Sequence, residues 1–211
     1  MRLLVVDTAL PCCTAALADD GRILAARTEP MVRGHQERLA DLVEEVMAEA
    51  EAAYVSVNRI GVTVGPGSFT GLRVGLAFAK GLGEALGLPV AGVGTLPALA
   101  GSARSDRLTA AVIDARRGQI YTQFFKDMTP LGPAEAVSVD EASAQLINID
   151  PAGPAVLIGP GARLLAERFP KAAVDERLSP DPVVLVRLAA ADPIVPAEPL
   201  YLRAADAKLP A

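Results

Sequence analysis

Few residues in this chain could do chemistry, and their spacing limits what that chemistry would be. Asp7 ends the apolar run Leu3-Leu4-Val5-Val6, and Asp114 ends a second, Ala110-Ala111-Val112-Ile113. In two-lobed nucleotide-binding folds, acids at such strand ends hold a metal-bound phosphate; elsewhere a strand-end Asp forms turns. Gly65-Pro66-Gly67-Ser68 lies between a β-branched run, Ile60 to Val64, and an apolar helical pattern. A strand, tight turn and helix start so compressed aim free N–H groups and the positive end of the helix dipole at one spot, a ready anion site. Ser68 or Thr70 can cap the helix, and Gly67 can take a positive φ or admit another backbone. Asp7, Gly65, Gly67, Ser68 and Asp114 are therefore the candidate nucleotide contacts.

The hairpins after the two acids weigh against that site. A phosphate cradle needs small residues so that amides converge. Asp7 is followed by Thr8-Ala9-Leu10-Pro11-Cys12, without glycine and with a proline that lacks a donor. Asp114 is followed by Ala115-Arg116-Arg117-Gly118, with two large side chains that either meet an anion or a partner's acid or are simply solvated. His35 is the sole histidine, so no histidine pair can hold a metal, and a Ser68 nucleophile would have no other base to use. Cys12 and Cys13 are adjacent in an apolar strand and point to opposite faces, which suits buried thiols better than chelation or a disulfide. HExxH, CxxC and G-x-S-x-G are absent. No catalytic residue, metal or cofactor is expected.

The elements that must position these residues follow from periodicity. Residues 2–7, Cys13 to Leu17 and Ile23 to Arg27 read as strands, the last two joined by Asp19-Asp20-Gly21, a hairpin signal. From His35 to about Ala53, Leu39, Leu42, Val43, Val46, Met47 and Ala50 share one helical stripe. Ile60 to Val64 is a strand, Thr70 to Leu86 a helix ended by Gly87 and Pro89, and Pro89 to Val93 a strand; Thr95 caps a short helix through Ala100. This β-β-β-α-β-α-β-α order is that of a ribonuclease-H-like lobe. A second series has strands at Thr109 to Asp114, Gln119 to Lys126 and Val137 to Val139. A helix capped by Ser138 or Asp140 runs to Ile147, Ala155 to Ile158 is a strand, and Gly159-Pro160-Gly161 opens a helix to Phe169. A last helix spans Pro182 to Ala191, and an extended tail either covers the other lobe or hangs loose. The two Gly-Pro-Gly turns fall 58 and 45 residues after Asp7 and Asp114, a sign of internal duplication. The expected lobes are 1–104 and 105–211.

Gly71, Gly75, Ala79, Gly83 and Gly87 recur every four residues, a bare ridge on the second long helix. Each interior glycine costs about 1 kcal/mol against alanine, so something presses close to that ridge: the chain's own sheet, or a helix of another chain.

Half of the 211 residues are hydrophobic, enough for a sizeable core, yet no window approaches the roughly 18 uninterrupted apolar residues of a membrane span. Asp7 interrupts what could pass for a signal peptide, so a soluble cytoplasmic protein is expected. A net charge of −5 argues against gripping nucleic acid unaided.

The run Gly65-Pro66-Gly67-Ser68-Phe69-Thr70-Gly71-Leu72-Arg73-Val74-Gly75, with Ala79-Lys80-Gly81-Leu82, resembles the signature of the TsaB (YeaZ) family. Leu4 to Thr8, Gly34 to Leu39, Asp114 to Tyr121 and Pro199 to Arg203 add to it in the family's order. The resemblance implies an actin/Hsp70-like (ASKHA) fold of two ribonuclease-H-like lobes. It implies a role in making N6-threonylcarbamoyladenosine on tRNA as a non-catalytic paralogue of the transferase subunit TsaD. In the family that paralogue pairs with TsaD, supports it together with the ATPase TsaE, and forms homodimers when alone. The transferase carries a second histidine that this chain lacks between Glu37 and Glu45. The family pairs through its first two helices, here His35–Ala53 and Thr70–Leu86, which implies Leu39, Val43, Met47, Leu72, Gly75 and Ala79 as partner contacts. The tRNA would be met only indirectly, and no membrane is involved. The alternative is a nucleotide-binding enzyme of the same fold, an ATP-dependent transferase or an M22-type peptidase.

Overall fold

The computed structural model describes residues 1–203. Its first sheet begins as a meander, β1 (Arg2–Asp7), β2 (Cys12–Asp19) and β3 (Arg22–Pro30), paired antiparallel. Helix α1 (His35–Glu49) follows, then β4 (Arg59–Gly65), α2 (Phe69–Leu86), β5 (Val90–Gly94) and α3 (Thr95–Ser102). The sheet order is β3-β2-β1-β4-β5, with β1, β4 and β5 parallel. β1 and β4 are covered on both faces, which is why they read as continuous apolar runs rather than alternations. α1 lays Leu39, Leu42, Val43, Val46 and Met47 on the face of that sheet carrying Leu4, Val6 and Leu17.

The second sheet contains β6 (Thr109–Arg116), β7 (Gln119–Lys126), β8 (Thr129–Pro130) and β9 (Glu135–Ser138), followed by α4 (Val139–Ile149), β10 (Val156–Ile158), α5 (Arg163–Ala166) and β11 (Ala173–Asp175). Its order is β11-β10-β6-β7-β8, and β9 also pairs with β7. From β9 through β7, β6 and β10 to β11, both order and strand directions repeat those of β3, β2, β1, β4 and β5. Gly65 and Gly159 even share a left-handed backbone, φ 112° and 110°, at matching turns. Two ribonuclease-H-like units, the lobe type that the element order implied, make the actin/Hsp70-like architecture that the family resemblance implied.

Several boundaries differ from the sequence reading, for local reasons. α1 stops at Glu49, four residues early, and Glu51 turns away at φ 48°. Thr95 is the first residue of α3 rather than its cap, and its buried hydroxyl has no hydrogen-bond partner. Ser138 caps α4 in a reciprocal capping box with Glu141. The helix after Gly159-Pro160-Gly161 shrinks to α5, because Ala162, Leu164, Leu165 and Arg168 donate three residues back instead of four.

The second half of the chain is not confined to the second sheet. Helix α6 (Pro182–Ala189), capped by the Asp181 side chain, returns to the first and packs Leu185, Val186 and Ala189 among Leu3, Val5, Ala16 and Ala91. Arg59 fastens it: Nη1 donates to the carbonyls of Ala189 (3.0 Å) and Ala191 (3.1 Å), and Nη2 to Asp192 (2.9 Å). Beyond α6 the tail bridges Ala91 at Pro196, donates from Leu200 N to Val64 O at 2.7 Å, and reaches the second sheet where Arg203 Nη1 donates to Ala115 O at 2.8 Å. The remainder of the expected tail, from residue 204, lies outside the described residues. Among the described residues no helix is long and apolar enough to cross a membrane.

Candidate functional site

The C-terminal ends of β1, β4 and β6 meet at a cleft between the sheets, a cavity of about 540 Å³. It collects Gly67, Ser68 and Asp114 from the candidate contacts, together with His35, Arg116 and Tyr121. Asp7 does not line it. That carboxylate is fully buried, its Oδ1 accepting from Thr63 Oγ1 (2.7 Å) and the Ala9 N–H (2.9 Å), with Ser179 Oγ 3.5 Å from Oδ2. Burial pushes the Asp7 pKa up, and the hydrogen bonds from Thr63 and Ala9 pull against that shift. Asp114 repeats the same turn in the second sheet, its Oδ1 accepting from the Arg116 N–H at 2.7 Å.

The Gly65–Ser68 loop is packed against protein. A β-carbon on Gly67 would collide with the Ala9 carbonyl, and the Ser68 N–H donates to that same carbonyl at 2.8 Å. Gly65 lies under Leu200, whose carbonyl would be 2.8 Å from an added β-carbon. The close-approach reading of Gly67 thus holds, and the backbone that approaches is the β1–β2 turn. Ser68 Oγ caps α2 by accepting from the Gly71 N–H at 3.2 Å. His35 Nε2, buried at the start of α1, has no hydrogen-bond partner, so the two do not form a nucleophile–base pair through that nitrogen. The Ala9 carbonyl and the Ala9, Ser68 and Gly71 N–H groups around this loop are thus already engaged within the chain. Burial pushes the buried Cys12 and Cys13 thiols up to about 11 and about 12, which keeps both protonated at neutral pH. Among the described residues, no three His, Cys, Asp or Glu side chains gather as a metal site.

The two long helices require a correction at residue level. Leu39, Val43, Met47, Leu72, Gly75 and Ala79 are all buried inside the chain itself. A β-carbon on Gly71 would collide with the Thr8 carbonyl, one on Gly75 would fall 2.5 Å from Thr8 Oγ1, and one on Gly83 2.5 Å from Val90 Cγ2. The ridge therefore seats α2 on its own sheet, and the six residues are buried in the chain's own core, Leu39 alone among them also reaching the floor of the groove described next.

The opposite side of α2 is open. Phe69, Thr70, Arg73, Val74, Ala77 and Phe78 line a groove of about 490 Å³ against Gln36 and Leu39 of α1. Phe69 is 44% exposed, and the Arg73 guanidinium lies 4.1 Å from its ring centroid. Outward positions of α1 carry Glu37, Asp41 and Glu44, whereas those of α2 carry Arg73, Lys80 and Glu84. The signal for this face was present in the sequence. Positions 70, 73, 74, 77 and 78 repeat at helical spacing about half a turn from the glycines, but the glycines drew the reading inward.

A family model described as tRNA N6-adenosine threonylcarbamoyltransferase (TsaD) matches residues 23–179. The tRNA threonylcarbamoyladenosine biosynthesis protein TsaB of Escherichia coli is 38% identical over 124 residues, 57% of this chain and 53% of that protein. The chain belongs to the TsaB (YeaZ) family. Similarity also extends to an uncharacterized protein of Mycobacterium tuberculosis, 38% identical over 98% of this chain and 93% of that one. The solved structure of YeaZ from Pseudomonas aeruginosa, 27% identical, superposes with a TM-score of 0.76 over 95% of this chain and 99% of that chain. The shared family accounts for the signature run at the β4–α2 junction.

Proposed function

We propose that this chain is a non-catalytic scaffold and activator subunit in the formation of N6-threonylcarbamoyladenosine on tRNA. It pairs with a TsaD-type transferase subunit and supports it together with a TsaE-type ATPase. The observation that carries this reading is the contrast between the two sides of α2. Inward, the ridge and the loop before it are closed on Thr8 and Ala9. Outward, an apolar groove with a half-exposed phenylalanine lies open beside α1. Partner docking therefore uses the outward residues of the same two helices. Across a twofold axis the acids of α1, Glu37, Asp41 and Glu44, can meet Arg73 and Lys80 of a second copy's α2, which supports a homodimer when the transferase is absent. The net charge of −5 supports indirect contact with tRNA, in a cytoplasmic setting.

Co-purification of the tagged chain with the transferase subunit tests the reading. Ala77→Arg places a charge in the groove from an exposed position and is expected to abolish pairing with melting temperature unchanged. Wild-type chain that elutes without the transferase, or Ala77→Arg chain that pairs as wild type does, would overturn it. The cleft volume favours one second reading, a nucleotide-binding enzyme of the same fold using Ser68 and Asp114. Calorimetric titration with ATP and magnesium separates the two: micromolar or tighter binding to the isolated chain favours the enzyme.

A further inference from the structure

We propose that the C-terminal segment Pro199–Arg203 belongs to the partner-binding surface, with Tyr201 as its aromatic anchor. The inference rests on the reading that a transferase-type partner docks on the α1–α2 groove, and extends that surface to a part of the chain more than a hundred residues away. Tyr201 is held from both sides. Before it, Leu200 N donates to Val64 O at 2.7 Å, and the Leu200 carbonyl fills the space that a side chain at Gly65 would take. After it, Arg203 Nη1 donates to Ala115 O at 2.8 Å. The pinned backbone nevertheless leaves Tyr201 44% exposed, its ring 5.4 Å from that of Phe69 with the planes inclined by 41°.

Phe69 makes the surface continuous, since it pairs with Tyr201 and also lines the groove. The chain holds only eight aromatic residues, five Phe and three Tyr, so two half-exposed rings in contact are a marked departure from burial. Arg73 lies over the Phe69 ring, and among the described residues no carboxylate pairs with it. Aromatic rings and an arginine in one exposed cluster are the residue types that carry most binding energy at protein interfaces. Anchoring the segment beforehand also lowers the ordering cost of docking. The partner that fits presents an apolar side chain to the two rings and a carboxylate to Arg73.

The test measures the affinity of the purified TsaD-type subunit for wild-type chain and for Tyr201→Ala, Tyr201→Phe and Arg73→Gln. Tyr201→Ala is expected to weaken pairing at least tenfold and Tyr201→Phe less than threefold, with melting temperatures unchanged. Arg73→Gln, which leaves the tail untouched, is expected to weaken it about fivefold and to flatten its salt dependence. Tyr201→Ala and Arg73→Gln affinities within twofold of wild type overturn the inference while leaving the pairing reading intact. Wild-type chain that fails to bind the subunit overturns both. Loss of self-association alone would assign the surface to a second copy and contradict the proposal.

Discussion

Thr8 shows how tightly the first lobe is drawn together at a single residue. Its hydroxyl donates to the Gly71 carbonyl at 2.7 Å, and its own carbonyl occupies the space a β-carbon on Gly71 would need. Gly71→Ala must move backbone against backbone, so it is expected to cost about 1–3 kcal/mol as overpacking does. Melting should fall by roughly 2–4 °C for each kcal/mol in a chain of this size. Gly81→Ala, on the open side with nothing near the added carbon, should raise stability by up to about 1 kcal/mol in the same measurement. Equal melting of Gly71→Ala and wild type would contradict the close seat. Asp7 gives a pH signature. Its folded pKa is raised above the unfolded value, so between the two the folded state holds the extra proton. Its contribution is complete below the unfolded pKa and is lost as pH rises through the folded one. Asp7→Asn retains an Oδ1 acceptor for Thr63 and Ala9 and removes the titration. Urea denaturation from pH 4 to pH 8 should therefore show the variant gaining on wild type as pH rises; a constant difference would contradict this. The apolar run before Asp7 announced an acid at a strand end. Its enclosure was hidden, because Thr63 and Ser179 arrive from 56 and 172 residues away.

At the scale of elements, periodicity located every long helix and strand, since each is buried on a definite face. It could not say what covers that face. The four-residue glycine spacing on α2 demanded a close neighbour, and a sheet strand or a partner helix satisfies that demand equally; only the position of Thr8 decides between them. β8 and β11, two and three residues long, are too short to carry a period and were missed. α6 was found, but its destination was not, because the contact that directs it is Arg59, 130 residues earlier. Arg59→Met would leave the carbonyls of Ala189 and Ala191 without that donor and is expected to destabilise by about 2–3 kcal/mol. Hydrogen exchange should show the loss as faster opening of α6 with β7 unaffected, and uniform acceleration across both sheets would contradict the local account.

Across the whole molecule, duplication is the feature most legible in the sequence, through two strand–Asp–hairpin units and two Gly-Pro-Gly turns. The structure repeats strand order, strand direction and the φ of the turn glycines. In both repeats the amide two residues past the strand-end acid, that of Ala9 or Arg116, donates back to Asp7 or Asp114. On the proposed function this chain acts through its surface and not through the cleft. The most direct measurement is the yield of N6-threonylcarbamoyladenosine on tRNA in reactions of the TsaD-type and TsaE-type subunits with wild-type, Asp7→Asn/Asp114→Asn or Ala77→Arg chain. Wild-type yield is expected from the double variant, and from Ala77→Arg the yield obtained with no chain added. A double variant that still pairs but loses the yield would put the chemistry back in the cleft and contradict the account.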